Sequence, residues 1–139
     1  MNFVTLMTIT VGLLAMSPSV KAESLFDQLG GMEGIQKFVD RTVDLSASNP
    51  EIGHFFERSI LSRVKDKLAE QICELSGGPC KYTGALMDRL HKPMGITTKD
   101  FNVLVEDLQH AMDEAEIPNR AQNKLIAILA PMHRDIVED

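Results

Sequence analysis

From Ser24 onward, apolar residues recur at the three-and-four spacing that places them on one helix face. No segment shows the alternation of a half-buried strand. Ser24 predicts the cap of a short helix reaching Leu29, with Asp27 forming an imperfect capping box and Gly30-Gly31 ending it. A second helix is expected over about 32–46, where Ile35, Phe38, Val39, Thr42 and Val43 share a face, and Ser48-Asn49-Pro50 stops it. Ile52, Phe55 and Phe56 mark a short apolar turn. Leu61, Val64, Leu68, Ile72 and Leu75 predict a third helix that ends at Ser76-Gly77-Gly78-Pro79, with 80–84 as loop. A short helix follows around His91. Thr97 or Thr98 caps the next, which carries Phe101, Leu104, Val105, Leu108 and Met112. Pro118-Asn119-Arg120 opens the last, with Leu125, Ile128, Leu129, Met132 and Ile136 on one face. There are no internal repeats and no low-complexity tract. The pattern is that of an all-α domain with four main helices and several short ones packing their apolar faces inward.

One polar residue interrupts these stripes. Met87, Leu90, His91 and Met94 fall on one helical face, and Pro93 and Gly95 break the helix just after it. An imidazole in the middle of an apolar stripe has two readings. It is a core histidine satisfied by a backbone carbonyl, or it is a ligand offered to something apolar and flat above it.

The first 22 residues read as a secretory signal rather than as fold. Phe3 to Met16 is an apolar run too short to span a bilayer comfortably, and Val20-Lys21-Ala22 fits a small-residue cleavage site. No Lys or Arg precedes the run, so only the α-amino group charges its start. Cleavage after Ala22 leaves a domain over 23–139 that does not span a membrane, with the periplasm or the exterior as its expected address. The full chain carries a net charge of −6, which argues against nucleic acid as a partner. Cys73 and Cys80 are the only cysteines, and their spacing suits no zinc site. An oxidising compartment permits a disulfide between them if the chain folds back past Gly77-Gly78; the alternative is two free thiols, with Cys73 a small core residue.

Most catalytic signatures are missing. The sequence has no phosphate loop, no nucleophile elbow, no His-Glu-x-x-His and no Cys-x-x-Cys-His. Its carboxylates are scattered along solvent faces, with no pair placed for acid–base work. His54, His110 and His133 read as surface or edge residues.

An ordered set of features remains. Gly30-Gly31 follows a short first helix, and Phe55-Phe56 precedes the third. Gly77-Gly78-Pro79-Cys80-Lys81-Tyr82-Thr83-Gly84 follows that helix. Then come Met87, His91 and Gly95-Ile96-Thr97, and finally Ile128-Leu129-Ala130-Pro131. This set resembles the truncated haemoglobins, the two-over-two helical globins, and most closely their first group. The resemblance runs from Ser24 to about Val137, with Pro93 standing where a small residue is usual.

The resemblance implies haem b held between the third helix and the helix of His91. It makes His91 the proximal iron ligand, Phe56 the aromatic on the haem face, and Met87, Ile96 and Phe101 further apolar wall positions. The departures concern the opposite side. Group members commonly place a Tyr near the end of the second helix to hydrogen-bond dioxygen, and here that position is Val43. The third-helix positions facing the gas are Val64 and Leu68, where a donor such as Gln is frequent. Only Thr42, Lys67 and Gln71 could bring a polar group to that side. For Lys67 two roles stay open: a rim lysine pairing with a haem propionate, or a sixth ligand of the iron. The implied function is reversible binding of dioxygen, nitric oxide or carbon monoxide. Its use could be binding, sensing, or turnover such as nitric oxide dioxygenation supported by a reductase, in which dioxygen converts nitric oxide to nitrate. The second class is a haem-free helical interaction module of the cell envelope.

Overall fold

The computed structural model describes residues 21–138, so the expected signal peptide lies outside the described residues except for Lys21 and Ala22. Every regular element among the described residues is helical: α1 (Leu25–Gln28), α2 (Gly31–Ser48), α3 (Leu61–Leu75), α4 (Met87–His91), α5 (Thr98–Glu114), α6 (Asn119–Leu129) and α7 (His133–Ile136). Single 3-10 turns occupy Gly53–Phe56, Lys92–Met94 and Ala130–Met132.

The caps lie where the sequence puts them. Ser24 and Asp27 form a reciprocal capping box on α1. Thr97, rather than Thr98, caps α5 in the same way with Asp100. Between α1 and α2, Gly30 and Gly31 have φ of 85° and 65°, a left-handed conformation that costs glycine little and lets the chain turn sharply. α2 runs two residues past its expected end, and in its last turn the Ser48 hydroxyl donates to the Asp44 carbonyl at 2.7 Å. It stops at Asn49, whose extended ψ of 125° suits the residue before Pro50.

One long element is shorter than its periodicity predicts. The stripe from Leu125 to Ile136 was expected on a single helix, but α6 ends at Leu129. Pro131 follows within a 3-10 turn, where its ring nitrogen has no hydrogen to donate to the preceding turn, and α7 restarts at His133.

α2 is the central element and packs against both α3 and α5, and α1 bridges α2 and α6. Ile35, Phe38 and Val39 of α2 meet Ile72 and Cys73 of α3, Leu108 and Met112 of α5, and Leu125 of α6 in one core. Cys73 is fully buried there and forms a disulfide with Cys80, with Cα atoms 5.7 Å apart. Gly78 permits this return of the chain. A Cβ at Gly78 would lie 2.5 Å from the Phe26 ring and 2.6 Å from the Cys73 sulfur.

Candidate functional site

The apolar faces of α2, α3 and α5 continue beyond the core and open into a cavity of about 700 Å³, which α4 and the α6–α7 segment close from the other side. That volume falls in the range of small-molecule and cofactor pockets, roughly 300–1,000 Å³. The wall is mostly apolar. A second space of about 200 Å³ adjoins it and shares Phe56, Val64, Leu90, His91 and Phe101.

His91 lines both spaces and is half-buried. Its Nδ1 lies 2.9 Å from the Met87 carbonyl oxygen, one helical turn earlier. A carbonyl oxygen can only accept, so Nδ1 carries a proton, and in the neutral imidazole Nε2 is then the nitrogen that keeps its lone pair. The two readings of His91 therefore merge, because the backbone carbonyl that satisfies one ring nitrogen prepares the other as a ligand. Metal-ligating histidines are commonly oriented in this way.

The structure brings the sequence-predicted site residues together. Thr42, Val43, Phe56, Val64, Lys67, Leu68, Gln71, Met87 and Phe101 line the larger cavity with His91, and Ile96 lines the smaller one. Val64, Lys67, Leu68 and Gln71 share one face of α3. That explains why Val64 and Leu68 are only partly buried among core-like neighbours. Cys73 and Cys80 stand outside the cavity wall and act on it through the loop that Cys80 begins.

The polar groups of the wall are mostly committed. The Thr42 hydroxyl donates to the Phe38 carbonyl at 2.7 Å, and Ser46 donates to Asp107 at 2.9 Å. The Tyr82 hydroxyl donates to the Ala85 carbonyl at 2.7 Å, and burial raises its pKa above the ordinary tyrosine value. The Lys67 amine bonds Glu70 at 2.9 Å and Thr83 at 2.5 Å. Glu70 also accepts from the Thr83 backbone N–H, while Glu74 accepts from Lys81 and from the Tyr82 backbone N–H. These bonds hold both carboxyls below the usual glutamate pKa: the Lys67 bond is the largest cause for Glu70 and the Lys81 bond for Glu74. Arg58 and Arg63 also line the cavity, are exposed, and make no ion pair among the described residues.

Sequence reasoning did not assign Arg58 and Arg63 to the site, nor Val105, Ile126 and Met132, which complete the wall from α5, α6 and the turn after it. The arginines carried no local signal beyond their place around the start of α3.

An apolar slot with one oriented imidazole and cations at its rim has the chemistry of a porphyrin site, and the sequence matches the bacterial-like globin family over residues 24–138. The chain belongs to that family.

This globin is 27% identical over 124 residues to a group 1 truncated hemoglobin of Mycolicibacterium paratuberculosis, covering 89% of this chain and 91% of that protein. It is 26% identical over 120 residues to a group 1 truncated hemoglobin of Synechocystis, covering 82% of this chain and 97% of the relative. Its fold matches the truncated hemoglobin of Tetrahymena pyriformis in its Fe(III) form, with a TM-score of 0.80 at 20% identity over 84% of this chain and 100% of that one. It also matches the 2/2 hemoglobin of Synechococcus solved with covalently attached heme, with a TM-score of 0.77 at 18% identity over 83% of this chain and 98% of the other. The globin thus has the two-over-two helical fold of the truncated haemoglobins. Among its described residues no helix is long and apolar enough to cross a membrane.

Proposed function

We propose that this globin holds haem b in the cavity between α3 and α4 and reversibly binds a diatomic gas there: dioxygen, nitric oxide or carbon monoxide. The observation that carries the reading is the His91 ring, protonated at Nδ1 by its bond to the Met87 carbonyl, in the wall of a 700 Å³ apolar cavity. Haem held there would supply an iron able to bind the gas. The protein supplies the rest. His91 Nε2 would hold the iron as its proximal ligand. Phe56, Met87, Ile96 and Phe101 exclude water from the porphyrin faces, and Val64 and Leu68 wall the side where the gas enters. Arg58 and Arg63, without an ion pair among the described residues, suit the two propionates better than Lys67, whose amine Glu70 and Thr83 already hold. A haem-free interaction module would have no use for an open cavity behind an oriented imidazole.

The finer physiological use follows from what reaches the iron. Sensing needs only binding. Nitric oxide dioxygenation additionally needs a reductase to restore the ferrous state. The address is periplasmic or extracellular, with 1–22 as a signal peptide cut after Ala22. The Cys73–Cys80 disulfide supports such an oxidising compartment.

The test is the absorption spectrum of purified protein, reduced and then exposed to carbon monoxide. Wild type is expected to show a strong Soret band that shifts on adding the gas. His91→Ala removes the axial nitrogen without touching the core, so haem is expected to bind weakly or with altered coordination. A normal five-coordinate ferrous spectrum in His91→Ala would falsify the assignment.

A further inference from the structure

Three polar side chains in the cavity wall are buried: Thr42, Ser46 and Gln71. Two of them have nothing to offer a ligand. The Thr42 proton goes to the Phe38 carbonyl at 2.7 Å, and the Ser46 proton goes to Asp107 at 2.9 Å. Turning either hydroxyl toward a ligand would exchange a short bond within the protein for one to the gas.

Gln71 differs. It is only 9% exposed, yet among the described residues the one hydrogen bond its side chain makes is from Nε2 to the Met132 thioether at 4.0 Å, a long contact to a weak acceptor. A primary amide has two N–H groups, so at least one remains. Among the described residues nothing donates to its carbonyl oxygen. No side-chain polar atom among the described residues is both fully buried and unpartnered, so that oxygen reaches open space, and Gln71 borders the cavity. A half-turn of the amide exchanges oxygen for nitrogen at nearly the same position. Gln71 lies on the α3 face of Val64 and Leu68, seven residues after Val64, on the wall assigned to the gas.

We infer that the Gln71 amide is the donor that meets the gas in the cavity and sets its preference for dioxygen over carbon monoxide. The inference rests on the haem reading above. Dioxygen at a ferrous iron gathers negative charge on its outer atom, and carbon monoxide gathers little. One N–H donor in a water-poor cavity therefore holds the first more than the second. Gln71 is a specificity-determining residue by this argument, one helical turn beyond Leu68. The apolar Val43, Val64 and Leu68 confine the gas without bonding it.

The experiment compares wild type with Gln71→Met and Gln71→Leu, the first nearly matched in length, as reduced haem-loaded protein. Dioxygen is expected to leave both variants about two- to tenfold faster, the range of one net hydrogen bond, with carbon monoxide changed less than about twofold. The infrared stretch of bound carbon monoxide is expected to rise in both, because a nearby donor weakens the C–O bond. A residue that merely fills the wall would move both gas rates together and leave the stretch alone, and that result overturns the inference. Should the variants not fold, wild type still decides the matter: a stretch at the frequency of haem–carbon monoxide in an apolar solvent overturns it, and a lower one supports it. A wild type with no Soret band removes the haem reading itself, and this inference with it.

Discussion

The Cys73–Cys80 disulfide closes a loop with a sequence separation of 7. In the chain-entropy treatment, restricting a loop of about eight residues removes about 8 cal/mol/K from the unfolded ensemble, or about 2.5 kcal/mol at 25 °C. The native state is not reorganised by the bridge, for two reasons visible in the fold. Cys73 is fully buried among core residues whether or not it is bonded, and the segment after Cys80 is held independently by Glu74 through Lys81 at 3.1 Å and the Tyr82 N–H at 3.1 Å. Cys80→Ser therefore tests the loop term nearly alone, leaving Cys73 as a small apolar residue. Urea unfolding of the haem-loaded protein is expected to show a loss of about 2–3 kcal/mol, a midpoint lower by about 1–2 M for a slope of typical size. Tyr82, Ala85 and Met87 stay in the cavity wall, so the Soret spectrum of the folded variant should match wild type. The reasoning is refuted by a loss below about 0.5 kcal/mol, or by two alkyl adducts on unreduced wild-type protein in an intact-mass measurement.

Lys67→Ala is expected to leave the ferric spectrum unchanged from acid to alkaline pH, because Glu70 and Thr83 keep the amine from the iron; a low-spin six-coordinate wild type that turns high-spin only in the variant would assign Lys67 as a ligand instead. Glu70 and Glu74 have folded pKa values depressed below their ordinary 4.5, Glu70 first by Lys67 on α3 and then by Thr83, Glu74 by Lys81 and Tyr82, so these bonds contribute stability above that value and lose it as pH falls through the folded values. Haem transfer to an excess of a competing apo-globin should accordingly speed up below about pH 4.5, and Glu70→Gln with Glu74→Gln should flatten that dependence; an unchanged acid profile in the double variant contradicts it.

Hydrophobic spacing located the helices well and their neighbours poorly. Val64 and Leu68 share a stripe with Ile72, and nothing in the spacing separates residues that touch the core from residues that touch a cavity. The distinction is tertiary, since the α3 stripe runs off the end of the packed core and faces open space. The same limit hid Ile126 and Met132, which read as interior positions of one continuous helix until Pro131 divides it. His91 was legible because an imidazole in an apolar stripe is chemically odd, and the broken helix after it narrows what it can be. Its tautomer was not legible, because that depends on the Met87 carbonyl lying 2.9 Å from Nδ1. Thr42 and Gln71 look equally available in sequence. Only the bond from Thr42 to Phe38 separates them.

The two walls of the cavity are joined by one short stretch of chain. α3 carries Val64, Lys67, Leu68 and Gln71, and α4 carries Met87 and His91; residues 76–86 connect them. That stretch is fastened to α3 at successive points along its length. Cys80 is bonded to Cys73, Lys81 and Tyr82 are bonded to Glu74, and Thr83 is bonded to Glu70 and Lys67. Tyr82 then donates to the Ala85 carbonyl, fixing the last turn before α4. Each exposed polar contact is weak by itself, since solvent screens it. In series with a covalent bond they limit how far α4 can move from α3, and that distance sets the width of the slot. A ring nitrogen oriented by its own helix is useful only if that helix stays at the right depth. Fastening the loop to α3, at its core face through Cys73 and beside the cavity through Glu70 and Lys67, makes the depth of His91 depend on the same helix that carries Gln71.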